Sequence, residues 1–377
     1  MLAEFRVEGF KNFEKELAFR LDDVKNYEFS AGAVRDGFVK TGAVYGFNGS
    51  GKTNLAHAIF DITLHLVERE KSLDFYQRYK NLKRISGVKF HYRFRFGKDE
   101  IVYEYEKWDA QSLLAETVII NGKEVISYEY CPNKKNKAVV SLKGAESLSL
   151  EFETSNKPYY KLSVVKYVFK NTRLKPDRTN GVFQKMLDFV ERMLLFSSLD
   201  DSHYVGFKNG KETISDGIID AGKVKEFEHF LRKAGIEYQL ENDFDDNEIM
   251  CYYKIDDNSG TGVDFFSIAS RGTKSLALFY YWLIQLHAVS LVVIDEFDAF
   301  YHSELAKTVV EELIKHEELQ ALVTTHNTDI LTNDLLRPDC YFLLQDGEIH
   351  SFANLTDKEL RKAHNLQKMY KAGAFNA

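Results

Sequence analysis

One octapeptide, Gly46-Phe47-Asn48-Gly49-Ser50-Gly51-Lys52-Thr53, restricts what this chain can fold into more than any other feature. It fits GxxxxGK[ST] at every fixed position. Its surroundings fit as well. Ala43, Val44 and Tyr45 make a short apolar strand before it, and Leu55, Ile59, Ile62 and Leu66 recur at helical spacing after it. The pattern predicts a strand, a glycine-rich turn and a helix from Lys52 to about Glu70. Glycines let the backbone wrap a phosphate with its N–H groups inward, and a helix N-terminus adds positive potential. On this reading Gly46, Asn48, Gly49, Ser50, Gly51 and Asn54 cradle the phosphates, Lys52 reaches the β- and γ-phosphates, and Thr53 ligates Mg²⁺.

Three more constellations follow in a fixed order. Leu291-Val292-Val293-Ile294-Asp295-Glu296 is a continuous apolar run ending in two acids. Such a run reads as a buried strand that delivers Asp295 beside the phosphate loop, where it can hold Mg²⁺, with Glu296 polarising the attacking water. Upstream, Ser270-Arg271-Gly272-Thr273-Lys274 stands just before a helical pattern. Downstream, Thr324-Thr325-His326-Asn327 closes the strand-like run Ala321–Thr325, and Asp298 to His302 follow the acids directly.

The order phosphate loop (Walker A), Ser270–Lys274, Asp295–Glu296 (Walker B) and His326 resembles that of ABC-type ATPases, in the degenerate form of the SMC and RecF branch. The start, FRVEGFKNFEKE, is similar to the first strand and turn of SMC, RecF and OLD-type ATPases, which lies near the adenine. The resemblance places Lys11 and Asn12 at the base. It makes Ser270, Arg271, Gly272, Thr273 and Lys274 a signature motif that caps the γ-phosphate held by an opposite subunit, and His326 a switch histidine touching the γ-phosphate. It implies an α/β fold: an ABC-type P-loop ATPase head, its mixed central sheet flanked by helices, with a β-rich lobe inserted between Walker A and the signature. It further implies ATP and Mg²⁺ as ligands and Glu296, Lys52 and His326 as the catalytic set, acting in a homodimer or higher homo-oligomer. The β-rich stretch and the ending LQKMYKAGAFNA resemble the small ATPases of bacterial anti-phage operons, relatives of the OLD nucleases and of the ATPase subunits of PARIS, Septu and abortive-infection systems. The chain shows no room for a Toprim domain and no HNH, GxSxG or HExxH motif, so a separate nuclease or toxin is the expected partner, with DNA or a phage protein as candidate triggers.

Between the motifs the patterning changes. Residues 2–8 read as an edge strand. KFHYRFRFG, IVYEYEKW and ETVIINGKEVISYEY alternate with period two, with Asn121-Gly122 as the clearest hairpin turn. Helices are predicted over 180–198, 222–234 and 303–317, from Gly272 onward, and from Asp357 to about Tyr370; CYFLLQDGEIHSF reads as a hairpin turning at Asp346-Gly347. These patterns divide the chain into residues 1–85, the lobe with Walker A; 86–175, the β-rich insert; 176–259, a helical and short-strand connector; and 260–377, the lobe with signature, Walker B and switch histidine. Gln77 and Gln111 are the candidates for a Q-loop glutamine.

Charge bears on the alternatives. The formal net charge is −7 and the pI about 5.9, more acidic than a generic polyanion binder. That weighs against the second reading, a RecF- or SMC-like DNA-binding repair ATPase, which the basic runs Lys80–Arg84 and Lys134–Lys137 keep open. A transporter ATPase is disfavoured because the signature is not LSGGQ. Cys131, Cys251 and Cys340 have no CxxC spacing and read as reduced thiols. With no signal-peptide pattern and no membrane-spanning run, the expected location is cytoplasmic.

Overall fold

A computed structural model describes residues 1–67, 78–131, 136–148, 150–152, 163–197, 204–206, 213–243, 247–256, 259–299 and 303–375. Two seven-stranded sheets organise them. The first is antiparallel and contains β1 (Leu2–Glu8), β2 (Leu17–Arg20), β4 (Val88–Phe96), β5 (Asp99–Lys107), β6 (Leu113–Ile120), β7 (Lys123–Glu129) and β8 (Val139–Val140), in the order β8-β7-β6-β5-β4-β1-β2. The second contains β3 (Thr41–Tyr45), β9 (Met193–Ser197), β10 (Tyr204–Gly206), β14 (Leu291–Asp295), β15 (Gln320–Thr325), β16 (Tyr341–Gln345) and β17 (Glu348–Ser351). Its order is β10-β9-β14-β15-β3-β16-β17, parallel throughout except for the two edge strands. A small antiparallel sheet of β11 (Gln239–Asp243), β12 (Glu248–Asp256) and β13 (Ser259–Asp264) stands apart.

Helix α1 (Lys52–Leu66) lies between the two large sheets. Its sequence is apolar nearly all round, and Leu55, Ala56, Ala58, Ile59, Phe60, Ile62 and Leu64 are all buried. A helix of that kind is stable only with packing on several sides. One side meets β9 and β14. The other meets the antiparallel sheet, where the Tyr92 hydroxyl donates to the Ala58 carbonyl at 3.0 Å. Strand alternation builds the facing surface: Phe90, Tyr92 and Phe94 of β4 and Ile101, Tyr103 and Tyr105 of β5 point inward and are buried. Each such ring contributes roughly 2–3 kcal/mol of burial. Elsewhere Gln320, wholly buried, clips the sheets together: it accepts from the Leu2 N–H at 2.9 Å and donates to the carbonyls of Leu2 and Val39 at 3.0 Å each.

Several expectations are met. β3, β14, β15 and the β16–β17 hairpin lie where the apolar runs place them, and Asn121-Gly122 and Asp346-Gly347 both adopt the paired positive φ that such turns need. Others are corrected. Residues 2–8 do not form an edge strand: β1 is flanked by β2 and β4. The β-rich stretch is therefore not a sheet of its own, because β4 continues a sheet begun by the N-terminal strands. The helix of 180–198 stops at Glu191, and the apolar run Met193–Phe196 pairs in parallel with β14. α1 ends at Leu66, where Val67 turns extended. The final helix is only Leu366–Lys371; the chain before it is held in turns by Asn333, whose amide donates to the carbonyls of Arg361, Lys362 and His364.

On the outer face of the antiparallel sheet, opposite charges alternate across strands. Arg20, Glu4 and Arg93 stand in register, as do Glu8, Lys89 and Glu106. Arg93 reaches Glu4 at 3.2 Å and Asp22 at 2.6 Å, and Arg84 reaches Glu8 at 2.6 Å. Deep under the opposite face, Lys107 pairs with Asp61 of α1 at 2.5 Å, and Tyr79 and Tyr105 donate to the same carboxylate at 2.9 and 2.8 Å. Both charges are buried. Lys107→Met therefore leaves a buried carboxylate without its cation and is expected to cost about 3 kcal/mol of unfolding free energy; the double variant Asp61→Asn/Lys107→Met is expected to recover much of it. Urea denaturation of the three proteins measures both.

Candidate nucleotide site

The phosphate loop links β3 to α1 in a shape that only glycine accommodates at two places. Gly49 has φ +81° and Gly51 φ +105°. A Cβ on Gly51 would also lie 2.4 Å from Asn12 Nδ2. Gly46 is restricted by crowding, since a Cβ there would come within 2.7 Å of the Leu344 carbonyl. The loop leaves the Ser50 hydroxyl buried with no hydrogen-bond partner among the described residues. Asn48 and Phe47 are exposed at its tip.

Lys52 is 4% exposed and curls back onto the loop, donating to the carbonyls of Gly46 at 3.0 Å and Phe47 at 3.3 Å. Its ammonium also lies 2.8 Å from His326 Nε2. Burial lowers the Lys52 pKa. Burial, and then the Lys52 charge, lower that of His326, which keeps the imidazole an acceptor for the ammonium. The ammonium is thus held by weak neutral acceptors at the place where a phosphate oxygen would be a better one.

Asp295 ends β14 with its carboxylate clasped from two sides. Thr53 Oγ1 donates to Oδ2 at 2.7 Å, and Thr324 Oγ1 to Oδ1 at 2.6 Å. β15 separates β3 from β14, so side chains, not adjacent strands, bring the two motifs together. A hydroxyl and a carboxylate at contact distance form a set of hard oxygen donors, which fits Mg²⁺. Glu296 sits at φ +47°, with its N–H donating to Thr324 Oγ1 at 2.8 Å. That uncommon backbone turns the side chain out of the strand's alternation to within 3.9 Å of His326 Nε2.

The Lys11–Asn12 turn lies against the loop. Asn12 accepts from Asn54 at 2.6 Å and donates to the Ser50 carbonyl at 3.3 Å, while Lys11 Nζ is 3.0 Å from His57 Nδ1. The structure thus gathers Gly46–Asn54, Asp295, Glu296, His326, Lys11 and Asn12. It does not bring in Ser270–Lys274. These open helix α6 (Arg271–Leu283), which packs against α4 (Ile214–Asp220) and α5 (Val224–Lys233). The Ser270 hydroxyl caps α6, accepting from the Thr273 N–H at 3.1 Å. Gln111 sits in the β5–β6 turn, its N–H on Asp109; Gln77 and the residues Phe300 to His302 lie outside the described residues. Sequence reasoning missed Thr324 and His57. The paired threonines before His326 were a signal for the first; nothing in the spacing marked the second.

Fold and site together define the class: an α/β P-loop protein with the ABC-type ATPase layout, the strand before its glycine-rich loop and the strand ending at Asp295 separated by the strand that leads into His326. The chain belongs to the family described as "AAA domain, putative AbiEii toxin, Type IV TA system", whose model matches residues 43–332. It is also similar to solved SMC heads. One is described as the SmcHead bound to the C-winged helix domain of ScpA: 15% identical, covering 93% of this chain and 97% of that one, TM-score 0.47. Another is the SMC head domain from Thermotoga maritima: 16% identical, covering 93% and 98%, TM-score 0.43. A third is an Smc head domain with an extended coiled coil bound to the C-terminal domain of ScpA, derived from Pyrococcus furiosus: 13% identical, covering 98% of each, TM-score 0.40. These likenesses are distant, and the fold assignment stands on strand order and the family match. No curated protein matches the chain. Among the described residues, no helix is long and apolar enough to cross a membrane.

His57 gives this site a pH signature. Burial, and then Lys11, push its pKa from 6.5 down to about 4. The unfolded chain therefore takes up a proton between those values and the folded one does not. The stability this contributes is complete above pH 6.5 and is lost as pH falls towards 4. His57→Asn is expected to flatten the stability–pH slope in that window, as read by denaturant titrations at a series of pH values.

Proposed function

We propose that this chain is an ATP-binding and ATP-hydrolysing sensor subunit of an anti-phage system, controlling a separate nuclease or toxin through ATP-dependent pairing of two heads. The observation that carries the ATPase reading is the contact of Thr53 with Asp295 at 2.7 Å, which unites the phosphate loop and the acidic strand end in one site. In this reading Lys52 leaves the Gly46 and Phe47 carbonyls for the β- and γ-phosphates. Glu296 orients and polarises the water, and His326 contacts the γ-phosphate. Thr53 and Asp295 would hold Mg²⁺, which would supply positive charge against the phosphates. Lys11 and Asn12 border the base.

The placement of Ser270 away from the loop supports pairing of heads. Ser270 and its neighbours sit on the helical group, so a second copy is the source of the residues that cap the γ-phosphate. Two γ-phosphates bound tightly only in the closed pair make a bistable element. The defence role draws support from the family's description, which names a toxin of a type IV TA system. The repair reading finds little support, because the arginines on the outer face of the antiparallel sheet are matched by carboxylates, a poor surface for a phosphate backbone.

Two experiments bear on this. Glu296→Gln is expected to keep ATP affinity by calorimetry while phosphate release falls by about 10²-fold or more; turnover at the parental rate would remove Glu296 from the mechanism. Lys52→Ala is expected to lose ATP binding, and Ser270→Arg to bind ATP without turnover. A mixture of the two is expected to regain part of the activity, because one composite site of the heterodimer is intact. A mixture as inactive as either variant refutes shared sites.

A further inference from the structure

His326 is 39% exposed, yet it has to present its ring to Lys52 and Glu296 from the open end of a strand. What fixes it is on either side of it in the chain. Thr325, wholly buried, donates its hydroxyl to Asp298 Oδ2 at 2.7 Å. The Asn327 N–H donates to Thr325 Oγ1 at 2.8 Å, and its carbonyl accepts from the Tyr45 hydroxyl at 3.2 Å. Both neighbours of the histidine are therefore tied to one carboxylate, Thr325 directly and Asn327 through the Thr325 hydroxyl, and that carboxylate stands two residues beyond Glu296.

We infer that Asp298 is a positioning residue: through Thr325 and Asn327 it sets the backbone of His326, and so ties the histidine's placement to the segment that carries Glu296. This rests on the ATPase reading given above and assigns no chemical step to Asp298. The carboxylate is turned towards the end of β15 and occupied there. Burial raises its pKa, with the Thr325 hydrogen bond opposing, so that donor favours the ionised form which burial disfavours. Threonine at 325 supplies the donor from inside the strand, which an apolar residue of the same shape cannot do.

The test uses the full chain with ATP and Mg²⁺. Asp298→Ala and His326→Ala are each expected to lower kcat by about tenfold or more, with the KM for ATP within about twofold. The double variant is expected to be no more than about twofold slower than His326→Ala alone, because the two act through one element. Thr325→Val should behave as Asp298→Ala, and Thr325→Ser should restore at least about half the parental rate, since only the hydroxyl is needed. A double variant that loses the product of the two single effects overturns the inference. A second arm needs no turnover. In histidine-labelled protein, the imidazole signal that disappears in His326→Ala should shift or broaden in Asp298→Ala and Thr325→Val. An unchanged signal overturns the inference as well. A parental protein without ATPase activity would fail the function proposed above, and the imidazole signal would then decide the role of Asp298 by itself.

Discussion

The carboxylate of Asp295 is the point on which the rest of the site depends. It is buried, and each of its oxygens accepts a threonine hydroxyl, one from the start of α1 and one from the end of β15. A buried carboxylate is tolerable only when satisfied in this way. The bonds also enforce alignment. Ile294 pairs with Val323, and Thr324 with Val44, so three parallel strands end at one level. A slip of one residue in either pairing would turn the hydroxyl or the carboxylate to the opposite face of the sheet. The phosphate loop, the acidic pair and His326 are therefore consequences of one register, and Glu296 reaches the site only because its positive φ breaks the alternation that Asp295 obeys.

Helix α1 extends this alignment into the antiparallel sheet. Its first turn carries Lys52 and Thr53; further along, Asp61 and His65 point into a layer of tyrosines. His65 Nε2 lies 3.5 Å from Glu116, a wholly buried acid that also accepts from Ser163 Oγ at 2.5 Å and from the Val164 N–H at 2.6 Å, where helix α2 (Val164–Asn171) begins. Polar groups thus lie side by side from the far end of α1 to the start of another helix. The hydrogen bonds that Glu116 and Asp61 accept hold the elements they join.

The sequence disclosed those parts of the site whose chemistry is tied to fixed spacing. The glycines of the loop, Lys52, Thr53 and the acids after an apolar run are legible because few other uses demand those residues in that order. His326 was legible through its place after a strand. What could not be read was anything that depends on partners distant in the chain. Nothing in LAEFRVE distinguishes an edge strand from one flanked on both sides, because the alternation is the same and only β4 decides. Met193–Phe196 reads as the end of a helix until β14 is known to lie beside it. His57 and Lys11 are brought together by the turn after β1, and the clasp on Asp295 needs a threonine whose neighbour in sequence is an equally plausible donor.

The position of β3 in its sheet governs how the protein can be made. The strand that launches the phosphate loop is residues 41–45, but its two neighbours are β15, residues 320–325, and β16, residues 341–345. A growing chain on the ribosome therefore carries the loop for most of its synthesis with neither flanking strand available. Pairings this remote in sequence form late, after long loops have closed. Until Leu344 emerges, the carbonyl that crowds Gly46 is missing, and the tyrosine layer of Tyr45, Tyr341 and Tyr370 has only one member. A chain that stops before residue 320 lacks both strands that flank β3, and with them the pairings that set the register of the glycine-rich loop.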